Sequence, residues 1–284
     1  MKKQQRINWK QGMEITPEIF IESDEYHISE RELLGTLLAS RIYGIFPNSK
    51  FSMDAEIYNH QMVVKISDCI ALLSNGSVMN IQNSSFKKEL PVNEISECYV
   101  VLSAIGNNHD ESELHIVPQY DISFAIAGEP VGNGIPVLKI FRSASSWEID
   151  TNYIPPSIAL NAVPSLMNKY VEIMEIIHKI LNYYTTKDSN YLLFTLLQIE
   201  LNSFSFKETP ESLTQIMKKF CLIFQAYLKT TQDIEPLESI KKFVRMTYNH
   251  HEIEKTLNMG HASLIEILNI FEAEPIPEII EIKV

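Results

Sequence analysis

Apolar positions along this chain follow two different periods, and the change between them falls near Asp150. Up to that point they come in short runs or alternate with polar residues, as in half-buried strands. Beyond it they recur every three to four residues over long windows, as on one face of a helix. The stretch between, Asp150-Thr151-Asn152-Tyr153-Ile154-Pro155-Pro156, holds two adjacent prolines. These neither continue a strand ladder nor sit inside a helix, and they push Ile154 toward an extended backbone. Tyr153, Ile154, Pro155 and Pro156 are therefore expected to form a stiff hinge between a β-rich module and a helical one.

In the first module, Ser29 stands three residues before Glu32, a capping box that predicts a helix start. Leu33, Leu34, Leu37, Leu38 and Ile42 fall on one face of that helix, and Gly44 offers its stop. Thr16-Pro17 reads as turn chemistry among the apolar anchors Trp9, Met13 and Phe20. Strands are predicted over 62–66 and 70–73, leading into Asn75-Gly76, a strong hairpin signal with Val78 and Ile81 on the return. Further strands are predicted over 99–102, 114–117, 122–126 and 137–141. So many short strands between polar turns predict a sandwich or barrel.

In the second module, Leu166, Tyr170, Ile173, Ile177, Ile180 and Tyr184 form one apolar stripe. The next helix, with Leu192, Leu193, Leu196, Leu197, Ile199 and Leu201, is more apolar than one core face requires. Thr209-Pro210 opens a third helix, and Leu237, Ile240, Phe243, Val244 and Tyr248 mark a fourth. The expected class is α+β: a β-sandwich or barrel-like domain over 1–152, a four-helix bundle over 153–249, and a short C-terminal segment over 250–284.

Composition narrows the function classes. The formal net charge of −12 argues against nucleic-acid binding, which needs a basic face. No apolar run reaches the length of a signal peptide or a membrane span, so a soluble cytoplasmic protein without direct membrane insertion is expected. Cys69, Cys98 and Cys221 are too scattered for a disulfide framework or a zinc cluster, and read as buried neutral thiols.

Candidate chemistry is sparse. The polar run Asn107 to Glu113 with His115 could offer hard-cation ligands, but it lacks the glycine and spacing of a calcium loop. His250 and His251 are adjacent, so on a helix they point to different sides and do not share a metal. Gly128 to Gly134 is glycine-rich without dinucleotide-binding spacing. No catalytic residue, cofactor or metal is assigned.

Three motifs in register carry a resemblance. Trp9-Lys10-Gln11-Gly12-Met13 with Pro17, Phe20, Asp24 and Tyr26 resembles the N-terminal signature of TssK, the type VI secretion system baseplate subunit. The hairpin Ala71 to Gly76 is similar to that family's strand ending in an Asp/Asn-Gly turn. Asp150 to Pro156 resembles its acidic-aromatic-isoleucine-proline-proline junction. The resemblance implies a β-rich shoulder that joins other baseplate subunits, TssF/TssG-like, and a helical neck that assembles a homotrimer. It implies no enzyme activity and an indirect link to a membrane complex. Trp9, Met13 and Phe20 become candidate partner-binding anchors, and the stripe from Leu166 to Tyr184 the candidate neck seam. The stretch from Asn249 to Val284 is expected to be too short for the family's usual head domain. The competing readings are a phage-tail or receptor-binding component of similar plan, and a metal-dependent hydrolase using His109.

Overall fold

The computed structural model describes residues 7, 10–39, 43–47, 50–91, 95–108, 117–126, 131–143, 146–183, 191–232, 235 and 237–273. The chain divides into two compact units, Met1–Ile158 and Ala159–Val284. Strands and helices segregate between them, apart from one N-terminal helix, so the class is α+β.

The first unit opens with α1 (Pro17–Ala39). It starts well before the expected capping box, because Thr16-Pro17-Glu18 is itself a helix start: proline suits the first turn and glutamate complements the dipole. A hydrogen bond with the Thr16 side chain holds the Glu18 carboxyl below its usual range. Ser29 lies inside the helix, its hydroxyl donating back to the Tyr26 carbonyl at 2.8 Å.

Two four-stranded antiparallel sheets follow. In the first, β3 (Gln61–Leu72) is central, with β4 (Val78–Glu89) along one edge. The short β1 (Gly44–Ile45) and β2 (Ser52–Tyr58) share its other edge. The two predicted strands at 62–66 and 70–73 are thus one strand. Its inward face changes parity between Ile66 and Cys69, where β2 slips register at Ser52/Met53. On β4 the switch falls at Asn83, held at a left-handed φ of 46° that asparagine tolerates better than most residues.

The β3–β4 turn uses Asn75-Gly76 as predicted, in a three-residue form. Gly76 takes φ 83° and donates to Leu73, while Asn75 Oδ1 accepts from the Ser77 amide (3.0 Å) and hydroxyl (2.7 Å). In the second sheet, β5 (Glu97–Asn108) is central, with β6 (Val117–Ile126) on one side. β7 (Ile135–Ser143) and then β8 (Ser146–Ile149) lie on the other. Of the predicted strand at 114–117, residues 114–116 lie outside the described residues. Met62, Val64, Ile66, Met79 and Ile81 from one sheet, and Val100, Leu102, Ile122 and Ile140 from the other, are buried. An ion pair, Lys88–Asp121 at 2.9 Å, links the sheets at their rim.

The second unit holds α2 (Pro164–Asn182), α3 (Tyr191–Ser203), α4 (Pro210–Gln232), α5 (Glu238–Arg245) and α6 (Ile253–Ala273). Thr209-Pro210 begins α4 as expected, with Thr209 Oγ1 accepting from the Ser212 amide at 3.1 Å. An aromatic centre joins three helices. Phe224 on α4 meets Phe194 of α3 (5.0 Å between centroids) and the Phe271 ring of α6 edge-on (5.5 Å). The residues after Asn249, expected as a short separate segment, supply α6, which packs on α2, α4 and α5. Gly260 permits that crossing: a Cβ there would lie 2.7 Å from the Phe243 ring.

Candidate protein-interaction surfaces

The proline junction belongs to the first unit. Tyr153, Ile154, Pro155 and Pro156 are all buried. Tyr153 packs on Tyr99, at 5.6 Å between centroids, and on Val101 over the outer face of the second sheet. Ile45 then clamps the chain on both sides of Ser157. Its amide donates to the Pro156 carbonyl at 2.9 Å, and its carbonyl accepts from the Ile158 amide at 3.0 Å. The approach is so close that a Cβ on Gly44 would sit 2.5 Å from the carbonyl carbon and oxygen of Pro156. Gly44, read from sequence only as a helix stop, is therefore a junction residue. Burial and hydrogen bonds fix the segment within the first unit.

The N-terminal anchors are placed differently. Trp9 lies outside the described residues, whereas Met13 and Phe20 are exposed. No described side chain of α1 is buried, and Phe20, Ile21, Leu33 and Leu34 are each more than half exposed. The α1 surface also carries Glu18, Glu22, Asp24, Glu25 and Glu30 against the single cation Arg31 and a His27–Glu30 contact of 3.6 Å.

The expected neck stripe is occupied within the chain itself. Leu166, Ile173, Ile177 and Ile180 are each 0% exposed, and α2 packs against α6. Tyr170 is half-buried near Phe204, with centroids 6.2 Å apart, and Tyr184 lies outside the described residues. Four of the six side chains are thus covered within the chain itself, where α6 packs on α2. Among the described residues of this unit, the most exposed apolar side chains lie on α3 and α4, with Val171 of α2, Tyr183 and Phe206 less so. Leu196 is 56%, Ile199 60% and Leu222 49% exposed. With Leu197 and Ile223, Leu196 and Leu222 line a shallow groove of about 290 Å³ crossed by the Lys219–Glu200 ion pair at 2.6 Å. The surplus apolarity of this helix in the sequence was the signal for that face.

Chemistry-bearing groups do not converge among the described residues. All three cysteines are free and buried, and burial is the main cause that pushes their thiols up, Cys69 and Cys221 to about 12 and Cys98 to about 11. His250 Nδ1 is 2.9 Å from the Tyr248 hydroxyl, and burial lowers the neighbouring His251. No group of three or more metal-ligating side chains occurs among the described residues, and the 109–115 loop lies outside them. No helix among them is long and apolar enough to cross a membrane.

Two antiparallel sheets with an exposed acidic helix, followed by a helical bundle with an exposed apolar face, define a shoulder-and-bundle protein built around surfaces. Solved structures of TssK are among those similar to this chain. A crystal structure of TssK is similar with a TM-score of 0.62 at 11% identity, covering 93% of this chain and 69% of that one. TssK in a type VI secretion TssK–TssF–TssG baseplate subcomplex gives 0.65 at 15% identity, covering 94% and 99%. TssK from the EAEC system, in complex with a nanobody, gives 0.59 at 15% identity, covering 88% and 69%. Neither a family model nor a curated protein matches the sequence. The chain therefore has a TssK-like fold, as the three sequence motifs indicated.

Proposed function

We propose that this chain is a structural adaptor of a type VI secretion baseplate. It binds TssF/TssG-like subunits through its N-terminal β-unit, assembles as a homotrimer through its helical unit, and carries out no catalysis. The observation that carries the proposal is the fold match to TssK in the TssK–TssF–TssG subcomplex, which extends over 94% of this chain and 99% of that one. The surfaces agree with it in kind: protein adaptors present apolar anchors on fixed scaffolds.

Self-association is assigned to the α3–α4 face in place of the α2 stripe. Its apolar residues Leu196, Ile199 and Leu222 surround an ion pair of both signs, so two copies can meet there without like charges facing each other. The Tyr153–Pro156 segment acts mechanically, holding the end of the β-unit in one conformation where the helical unit begins. The hydrolase reading rests on His109 and His115 alone, and stoichiometric metal in the purified protein would revive it.

The test is capture from the native host. A chromosomally tagged chain should retain TssF/TssG-like subunits, identified by mass spectrometry, and lose them when the baseplate genes are deleted. Retention of capsid or phage-tail proteins would instead support the receptor-binding reading.

A further inference from the structure

Building on the adaptor reading, we infer that α1 is a docking helix for a different protein that presents an apolar groove set with Lys or Arg side chains. Backbone periodicity puts Glu18, Glu22 and Glu25 in one row along the helix, at spacings of four and three residues. Apolar rows flank it on both sides: Ile19, Tyr26 and Leu33 on one, Ile21 and Ile28 on the other. Ile21, Ile28 and Leu33 are exposed, although apolar side chains on a helix ordinarily hold it in place by being buried.

Charge selects among the possible occupants. A second copy would bring one acidic row against another, within a chain of net charge −12. An anionic membrane surface would repel the same row, since surface helices use Lys and Arg for that contact. A neutral apolar groove would leave the carboxylates desolvated and unpaired at its rim. A groove with basic side chains satisfies both the apolar rows and the carboxylates. In such a contact the charges set the encounter rate and the register, and Ile28 and Leu33 supply the anchors.

Two measurements on the full chain test this. The first is retention of the TssF/TssG-like subunits by wild type, by the charge reversal Glu18→Lys/Glu22→Lys/Glu25→Lys, and by Ile28→Ser/Leu33→Ser, each confirmed to melt like wild type. Both variants should lose at least about tenfold in retention, and wild-type retention should fall as salt rises. Unchanged retention by both variants, with wild type bound, overturns the α1 inference and leaves the adaptor reading intact.

The second places a photo-crosslinking amino acid at Ile21 in the native host. The crosslinked peptides should come from another protein and contain Lys or Arg beside apolar residues. Crosslinks to a second copy of this chain, to lipid, or to a segment without basic residues overturn the inference, whatever the outcome for TssF and TssG. Wild type that binds no such subunit would sink the adaptor reading, and the crosslink would still decide what α1 meets.

Discussion

Replacing Gly44 with alanine probes the seam where the two kinds of periodicity meet. A Cβ at this position would lie 2.5 Å from two backbone atoms of Pro156 and 2.6 Å from the Ser157 nitrogen, at a φ of 133°. The colliding atoms are backbone, and the flanking hydrogen bonds from Ile45 fix them, so no side chain can swing aside. Strain at such a φ costs about 1–3 kcal/mol. Overpacking a close contact costs about 1–3 kcal/mol more. The lost freedom of the unfolded chain returns about 0.4–1 kcal/mol. The expected net loss is about 1–6 kcal/mol, a large share of the roughly 5–15 kcal/mol that holds a domain together.

Gly132→Ala is the internal control, because Gly132 also has a positive φ (67°) but nothing lies within 4 Å of its Cβ position. It should lose about 1 kcal/mol, from backbone strain alone. Urea unfolding followed by tryptophan fluorescence reads the first unit, since Trp9 and Trp147 both precede Ile158. If the two alanine variants unfold within about 0.5 kcal/mol of each other, the close approach at Pro156 is not what constrains this position.

Further outcomes follow from the same geometry. Ile173→Asp removes a fully buried side chain and buries a carboxylate, so it should cost about 5 kcal/mol or more and melt the helical unit in the monomer. Leu196→Glu with Leu222→Glu should leave the melting curve within about 1 kcal/mol of wild type while reducing the sedimenting mass to a monomer. An unchanged mass would remove the α3–α4 face from the assembly. The folded chain should resist thiol-labelling reagents at mildly alkaline pH, and the urea-unfolded chain should take up three labels, one per cysteine. Rapid labelling without denaturant would contradict the burial. Because the folded thiols are raised, their contribution to stability is present below about pH 9 and fades as pH climbs toward 12. His261 behaves in the opposite sense. Burial and then Lys169 depress it, with Glu172 opposing, so its contribution is present above about pH 6.5 and is lost on acidification. The helical far-UV signal should therefore melt earlier at about pH 5 than at pH 7, and His261→Gln should shrink that difference; an equal shift in the variant would assign the effect elsewhere.

What could be read from the residues depended on how local each signal was. Asn75-Gly76 and Thr209-Pro210 are self-sufficient, because the turn and the cap are satisfied by atoms a few residues away. The change of period near Asp150 was equally plain. Thr16-Pro17 carries the same helix-opening chemistry as Thr209-Pro210, yet the Ser29-x-x-Glu32 pattern suggested a later start. The strand at Ser52–Tyr58 was missed although its residues alternate, since only Met53, Ala55 and Ile57 mark the inward face.

On α2 the burial of Leu166, Ile173, Ile177 and Ile180 was legible, and the packing of α6 on that helix was not. Periodicity shows that a face is covered and is silent about whether the cover is another chain or a helix far along the same one, such as α6. Gly44 illustrates the same limit. Nothing local reveals that Pro156 will pass within 2.5 Å of its Cβ position. The acidic exposed surface of α1 was likewise visible only in pieces, because an apolar residue spaced along a helix is ordinarily buried.

Native mass spectrometry of the purified complex tests the central claim most directly. Co-expression with the TssF/TssG-like subunits of the same host should yield an assembly containing three copies of this chain together with those subunits. Leu196→Glu/Leu222→Glu should dissolve the trimer within it, whereas the Gly132→Ala control should not. A chain that remains a lone monomer in the presence of both subunits would contradict the adaptor account.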